Sequence, residues 1–375
     1  MLKPISTSDN TRPSDIASSS KDIRYAQTSL SSDIQRARND SRELLTVTEE
    51  STATGISGGA MSKRPFDTIF CGISNEERKQ VCGRLFGKQI LAHIHENCQR
   101  NAAAIHEKAL QRVTRECDVR SDNVALLKNM VAILQNARLT INFNASKVDF
   151  ISLLKHQHYL NTYAIGSRPG DLPAYNVGRD AIETKAFELE KLTDTPYATY
   201  GNTGGFTPSF KPANRDFSPE SRPVYAALDF LKGPNGGASS YGMSFFELND
   251  NVKINCTFSP FDIYGHRFGL DSRKLSTYWH MENLISVCQS DFFGYNCFKS
   301  LVKMASGESV IPHPNYGKGY EGNYIEAHIH GEVCIFRDIK HVYISLQESP
   351  YPLVKMQEYA RTINEALNRN CIILY

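Results

Sequence analysis

Three ionisable residues at alternate positions, Glu326, His328 and His330, stand in the run Tyr324-Ile-Glu-Ala-His-Ile-His-Gly-Glu-Val-Cys-Ile-Phe336. Alternation of polar and apolar residues predicts a strand with one buried face. Side chains on a strand point to opposite sides in turn. The acid and both imidazoles therefore share one face, and Ile325, Ala327 and Ile329 share the other. Such a trio is either a solvated edge or the wall of a site, and a site has two chemical readings: metal ligands drawn from one strand, or an acid that stabilises positive charge. The metal reading needs a further ligand, for which His313 is the nearest candidate. A segment rich in glycine and tyrosine, His313-Pro-Asn-Tyr-Gly-Lys-Gly-Tyr-Glu-Gly-Asn323, precedes the strand. Gly317, Gly319 and Gly322 give it backbone freedom, and Tyr316 and Tyr320 are its contact groups.

Other chemistries find less support. The chain has no Gly-x-Ser-x-Gly elbow, and no cysteine carries a local nucleophile signature. Tyr200-Gly-Asn-Thr-Gly-Gly-Phe206 lacks the Lys-Ser/Thr ending of a phosphate-binding loop and reads as a surface loop. Chemistry at a ribose fits better. Breaking a C–N glycosidic bond develops an oxocarbenium-like centre that one well-placed carboxylate can stabilise. Glu326 is the candidate acid. Tyr225 and Tyr241 are the candidate aromatic contacts of the nucleotide, and Arg222 is the candidate donor to its pyrophosphate.

The elements that must position these groups follow an α+β order. Ser74-Asn-Glu-Glu77 reads as a capping box that opens a helix through Val81, Leu85, Ile90 and Ile94. Helical periodicity continues over 101–119 and 122–137, the latter with Val124, Leu127, Val131 and Leu134 as one stripe. His93, His95 and His106 lie in these helices and read as surface or core histidines. Short strands are expected at 139–143 and 159–166, a brief helix at 146–154, and a longer one at 179–192. Strands at 222–231, 241–248 and 252–258 then alternate with turn-rich connections, and a helix over 274–288 carries Trp279. The Glu326 strand is expected to have a partner at 341–345. A helix over 353–367 and an edge strand at 371–375 close the order.

Composition bounds the class without choosing a function. The 375 residues carry 42 basic and 40 acidic side chains, a net +2 that argues neither for nor against nucleic acid. Nine scattered cysteines form no Cys-x-x-Cys pair, which fits free thiols in a reducing compartment. No apolar run approaches a bilayer span, so a protein soluble inside a cell is expected. Residues 1–61 are rich in Ser, Thr, Asp and Asn and are expected to be a disordered secretion or translocation segment. A helical region over 62–138 and a catalytic domain over 139–375 would follow it.

The succession Arg222-Pro-Val-Tyr-Ala-Ala-Leu, Tyr241-Gly-x-x-Phe-Phe-x-Leu, Cys256-Thr-Phe-Ser, Tyr324-Ile-Glu-Ala-His-Ile-His-Gly and Asp338-Ile resembles an ADP-ribosyltransferase-like domain. With the polar N-terminal segment, the chain is similar to type III secretion effectors of enteric pathogens that carry such a domain. The resemblance implies a helical layer followed by a split β-sheet core, and an enzyme that cleaves NAD and passes ADP-ribose to a host protein. It places the key positions on Tyr225, Tyr241 and Glu326 and implies no metal. For effectors of this type the acceptor is a glutamine in the membrane c-subunit ring of the host vacuolar proton pump. Its modification blocks recruitment of the autophagy machinery to damaged vacuoles. A host Arf-family GTPase is the implied activator, acting in the host cytosol and at the endomembrane surface, with peripheral membrane association. Two departures stand out. Tyr324 occupies the place where many toxin-type transferases carry a second Glu or Gln, and the Arg-then-Ser-Thr-Ser pattern survives only as Thr257-Phe-Ser259. Two other readings remain: a metal-dependent enzyme using Glu326, His328 and His330, or a membrane or GTPase adaptor without catalysis.

Overall fold

Helical periodicity takes effect first in the chain, as α1 (Asn75–Arg100), α2 (Ala102–Glu116) and α3 (Asn123–Gln135). The computed structural model describes residues 75–117, 122–146, 158–161, 179, 182–192, 221–263, 272–287, 294–312, 316–317, 324–348, 353–367 and 370–375. Helices and sheet belong to one unit, Ser74–Tyr375. Asp122 caps α3, its carboxylate accepting from the backbone N–H groups of Val124 and Ala125 at 3.0 and 3.2 Å. At the other end the buried Lys253 donates from Nζ to the carbonyls of Gln135 (2.6 Å) and Ala137 (2.9 Å), groups that a helix terminus leaves without partners. The stripe of α3 differs from expectation. Leu126, Leu127, Met130 and Leu134 are buried, whereas Val124 is 54 % exposed, because α2 and α5 cover the neighbouring face.

The strands are β1 (Arg138–Phe143), β2 (His158–Tyr159), β3 (Val224–Asp229), β4 (Ser244–Leu248), β5 (Cys256–Ser259) and β6 (Ser276–Thr277). Between them and the later strands lie α4 (Glu282–Val287) and α5 (Gly294–Ala305). Then come β7 (Ile325–Ile329), β8 (Val333–Cys334), the single turn α6 (Ile335–Asp338), β9 (Ile339–Ile344), α7 (Leu353–Leu367) and β10 (Ile372–Leu374). Among the described residues, eight strands form one mixed sheet in the order β10-β9-β4-β1-β3-β7-β5-β6, and β2 pairs with β8 apart from it. The fold is α+β. Among the described strands, only β9 and β10 run parallel; the other pairs are antiparallel.

Register gives the sheet two unlike faces. Thr140, Ala227, Glu326 and Ser259 stand in one row across β1, β3, β7 and β5. Tyr225, His328, Thr257 and Thr277 form the next. The opposite face is apolar, with Leu139, Ile141, Val224, Leu228, Ile325, Ile329 and Phe258 all buried. α1 lies along β5 and β6, α4 against α2, and α5 against α3. The three helical histidines fasten this layer. His93 meets Glu188 at 2.8 Å, His95 meets Thr277 at 3.5 Å, and His106 meets Glu282 at 3.1 Å.

Several expected elements are shorter or broken. Tyr241 lies on a 3-10 turn, Ser239–Tyr241, and not on a strand, because Gly242 turns the chain at φ 143° before β4 begins. Residues 250–255 form a 3-10 helix that carries Lys253 to the end of α3, so the strand expected at 252–258 starts only at Cys256. The helix expected over 274–288 is interrupted where Ser276 and Thr277 pair with β5, and only Glu282–Val287 is α-helical. β9 pairs with β4 and β10, not with the Glu326 strand. The helix expected from 179 is helical at 179 and 182–186 and ends where Glu188 takes φ 53°. α7 and the edge strand β10 lie where expected. Ser74, the helix at 146–154 beyond Ser146, the strand beyond Asn161 and the loop at 200–206 lie outside the described residues.

The connection from β3 to β4 is laid over the polar face of the sheet. Thr140 Oγ1 accepts from the Gly237 N–H and Asn142 Oδ1 from the Ala238 N–H, both at 3.0 Å. Asn142 Nδ2 donates to the carbonyls of Asn235 (2.7 Å) and Gly242 (2.9 Å). At its base, Arg138 bridges Asp229 (3.1 Å from Nε) and the Gly233 carbonyl (2.8 Å). A Cβ on Gly242 would stand 2.1 Å from the Phe143 carbonyl, inside van der Waals contact. Gly242→Ala should therefore destabilise the fold by about 3 kcal/mol in urea unfolding. Gly307→Ala, also at positive φ but with nothing within 4 Å, should cost only about 1 kcal/mol.

Candidate active site

The row that holds Glu326 faces a cavity of about 130 Å³ beneath the β3–β4 connection. Glu326 lines it together with Tyr225 from β3 and Tyr241 from the 3-10 turn, so three of the four residues singled out in the sequence meet there. Tyr159, Arg179 and Tyr324 complete its aromatic and charged lining. Tyr241 is 43 % exposed at the mouth, while Glu326, Arg179 and Tyr324 are buried. Ala227, Ala238 and Tyr324 pack as one apolar cluster below the connection.

Arg222 is not brought to the cavity. Its guanidinium is buried against Glu183 at 3.1 Å. The same carboxylate accepts from the Tyr225 hydroxyl, so Arg222 stands one residue behind Tyr225. The cation that does line the cavity is Arg179, whose guanidinium carbon lies 3.9 Å from the centre of the Tyr225 ring, a cation–π contact. Sequence reasoning read Arg179 only as the start of a helix. It also missed Asp262, which accepts from the hydroxyls of Tyr241 (2.8 Å) and Tyr324 (3.3 Å). Asp262 is brought there by the β5–β7 register, which sets Ser259 opposite Glu326 and which the sequence did not reveal. Tyr316, expected as a contact group, is instead buried against the ring of Phe230. Tyr320 and His313 lie outside the described residues.

Electrostatics sets Glu326 apart. Burial pushes its carboxyl well above the usual glutamate range. The nearby Asp262 pushes the same way, and Arg179 and the Ile263 N–H (2.7 Å) oppose them. Tyr324 and Tyr241 are raised too, by burial first and then by the two carboxylates, so both hydroxyls stay protonated donors. His328 meets Glu326 at 3.2 Å, and burial brings the imidazole down to about 3. The contact is accordingly a hydrogen bond of a neutral imidazole and not an ion pair. His330 is likewise held down to about 3 by burial. Both imidazoles bond to Thr257, and the described residues contain no group of three or more His, Cys, Asp or Glu arranged to hold a metal ion.

A buried, neutral carboxyl next to a fixed cation is poised to respond to a cationic guest. Positive charge arriving opposite Glu326 would restore its ionised form and be stabilised by it with little screening. The cavity is small beside the roughly 300–1,000 Å³ that enclose drug-sized ligands, so it suits one ring or sugar of a larger molecule. No protein-family model matches the chain, and no curated protein matches it in sequence.

The raised Glu326 carboxyl also bears on stability. A folded value above the ordinary 4.5 means the stabilisation is full below about pH 4.5 and is lost as pH rises through the folded value. Gln at this position cannot ionise. The melting temperature of Glu326→Gln relative to the native protein should therefore rise as pH increases above about 4.5 and level off once Glu326 is ionised in the folded protein. A difference that stays constant with pH would contradict the assignment.

Proposed function

We propose that the chain is an NAD-dependent mono-ADP-ribosyltransferase whose sheet is the split core of an ADP-ribosyltransferase-like domain. One observation carries the reading: Glu326, Tyr225 and Tyr241, the positions the family pattern marks, come from separate elements to line one cavity. In this reading the nicotinamide ribose enters beside Glu326. The C1′–N bond breaks, nicotinamide leaves with the electron pair, and the carboxylate stabilises the cationic sugar. C1′ then bonds to the acceptor, which gives up one proton. Arg179, and not Arg222, supplies positive charge for the pyrophosphate, and the exposed ring of Tyr241 offers an apolar face at the mouth.

The wider setting belongs to the same proposal and rests on the sequence resemblance. The protein is exported by a type III system into a host cell. There a host Arf-family GTPase activates it, and it modifies a glutamine of the vacuolar proton pump c-subunit. Tyr324 supports an unusual acceptor. The place where relatives carry an acid for steering is filled by a buried tyrosine tied to Asp262.

Labelled NAD incubated with host membranes tests the reading, with and without cytosol. Label is expected on a small membrane protein when cytosol is present. Glu326→Gln should fold but lower labelling at least about 100-fold, since shape remains and charge is lost. Retained labelling by that variant would refute the role of Glu326.

A second variant tests the electrostatics. Asp262 raises the Glu326 carboxyl, so Asp262→Asn should shift the acidic limb of the NAD turnover profile to lower pH. A shift to higher pH would contradict the described arrangement.

A further inference from the structure

Behind Glu326, away from the cavity, runs a chain of buried polar groups that the transfer chemistry above does not use. His328 Nε2 lies 3.2 Å from Glu326 Oε2, and His328 Nδ1 lies 3.1 Å from Thr257 Oγ1. Thr257 Oγ1 in turn lies 2.9 Å from His330 Nε2. Thr257 stands directly opposite His328 in the β5–β7 register, which fixes the middle link. The four residues are each at most 2 % exposed. Phe187 packs edge-on against both imidazoles, with ring centres at 5.2 and 5.3 Å. The far end of the chain, His330 Nδ1, is buried and has no hydrogen-bond partner among the described residues.

One hydroxyl has one proton, so Thr257 donates to one imidazole and accepts from the other. That constraint leaves two self-consistent arrangements. In the first, His330 Nε2–H donates to Thr257, Thr257 donates to His328 Nδ1, and His328 Nε2–H donates to an ionised Glu326. In the second, every link is reversed: Glu326 is protonated and donates to His328, and His330 carries its proton on Nδ1. The second arrangement holds one proton more than the first. Passing between them moves one proton across each link, with the surplus proton entering or leaving at His330 Nδ1.

We propose that Glu326 exchanges its proton along the polar face of the sheet, by way of Glu326–His328–Thr257–His330, and not through the cavity. The proposal rests on the reading of Glu326 as the group beside the ribose. It solves a problem of access, because a bound substrate closes the cavity side just when the carboxyl must ionise. Before bond cleavage, the proton of Glu326 passes to His328, that of His328 to Thr257, and that of Thr257 to His330. His330 Nδ1 then gives up its own proton to solvent water reaching it past the partly exposed Gly331. After transfer, the proton given up by the acceptor returns to Glu326, so one proton leaves per turnover and the count closes. His328, Thr257 and His330 are positioning and relay residues; only Glu326 meets the substrate. The groups that face the chain are Asp262, Arg179, Tyr241 and Tyr324 around Glu326, and Tyr225 beside His328 with Glu183 on its hydroxyl.

Imidazole nitrogen NMR on the full chain tests the chain of bonds without any activity. His328 and His330 should each carry a single proton near neutral pH and change tautomer together as Glu326 titrates. Glu326→Gln should hold both in one arrangement, and Thr257→Val should uncouple them. Tautomers that do not respond to pH or to Glu326→Gln would overturn the relay. For turnover, Thr257→Val and His330→Gln should each lower kcat for NAD by about 10- to 100-fold with little change in KM. Thr257→Ser, which keeps the hydroxyl, should recover most of the rate. A folded Thr257→Val or His330→Gln with native kcat would overturn the proposal. If the native protein consumes no NAD with membranes and cytosol present, the transferase reading fails by itself, and the tautomer measurement still decides the relay.

Discussion

A carboxyl group buried in the middle of a β-sheet is costly, and the surroundings of Glu326 are arranged around that cost. A desolvated acid either stays neutral or needs compensation for its charge. Glu326 has both options at hand: a backbone N–H and a neutral imidazole for hydrogen bonds, an arginine for attraction, and a second acid that opposes ionisation. Only the arginine, Arg179, comes from a helical stretch, and α1 to α7 carry none of these groups. α1 packs along β5 and β6, and strand register turns the polar positions of β1, β3, β7 and β5 to one side.

From the register follows the cavity. Rows of paired residues place Thr140, Ala227 and Glu326 side by side, and the small Ala227 lets Gly237 and Ala238 of the β3–β4 connection pack close to the sheet. The connection roofs the cavity because Thr140 and Asn142 hold its backbone with their side chains. Gly317 stands against the same connection, where its carbonyl accepts from the Ser240 N–H at 2.9 Å. The pocket is therefore a product of sheet pairing and loop tethering together, and its walls are mostly rigid elements.

Much of this was legible in the sequence where the signal is periodic. The alternation of Glu326, His328 and His330 gave the correct strand and face, and α1 to α3 and α7 form where expected, with the buried stripe of α3 displaced onto Leu126 and Met130. α5 was legible but unread: Cys297, Leu301 and Ala305 recur every fourth residue and are buried. What could not be read depends on long-range partners. Lys253 draws residues 250–255 out of a strand by capping a helix more than a hundred residues earlier. Pairing with β5 likewise overrides helical periodicity at Ser276 and Thr277. Arg222 and Arg179 could not be ranked from sequence, since each is assigned by the acid or ring it happens to meet in space.

Glu183 shows how far that ambiguity extends into experiment. It serves two masters at once, the Arg222 guanidinium and the Tyr225 hydroxyl, and stands wholly within the protein. Removing one member of a buried ion pair costs about 3–5 kcal/mol because its partner is left stranded. A truncation of Arg222 would thus release Glu183, and Glu183 would release a wall of the cavity. A scan scored by activity alone would class Arg222 with the residues that touch the ligand. Phenotype in this region reports connectivity, and proximity to the ligand has to be established by other means.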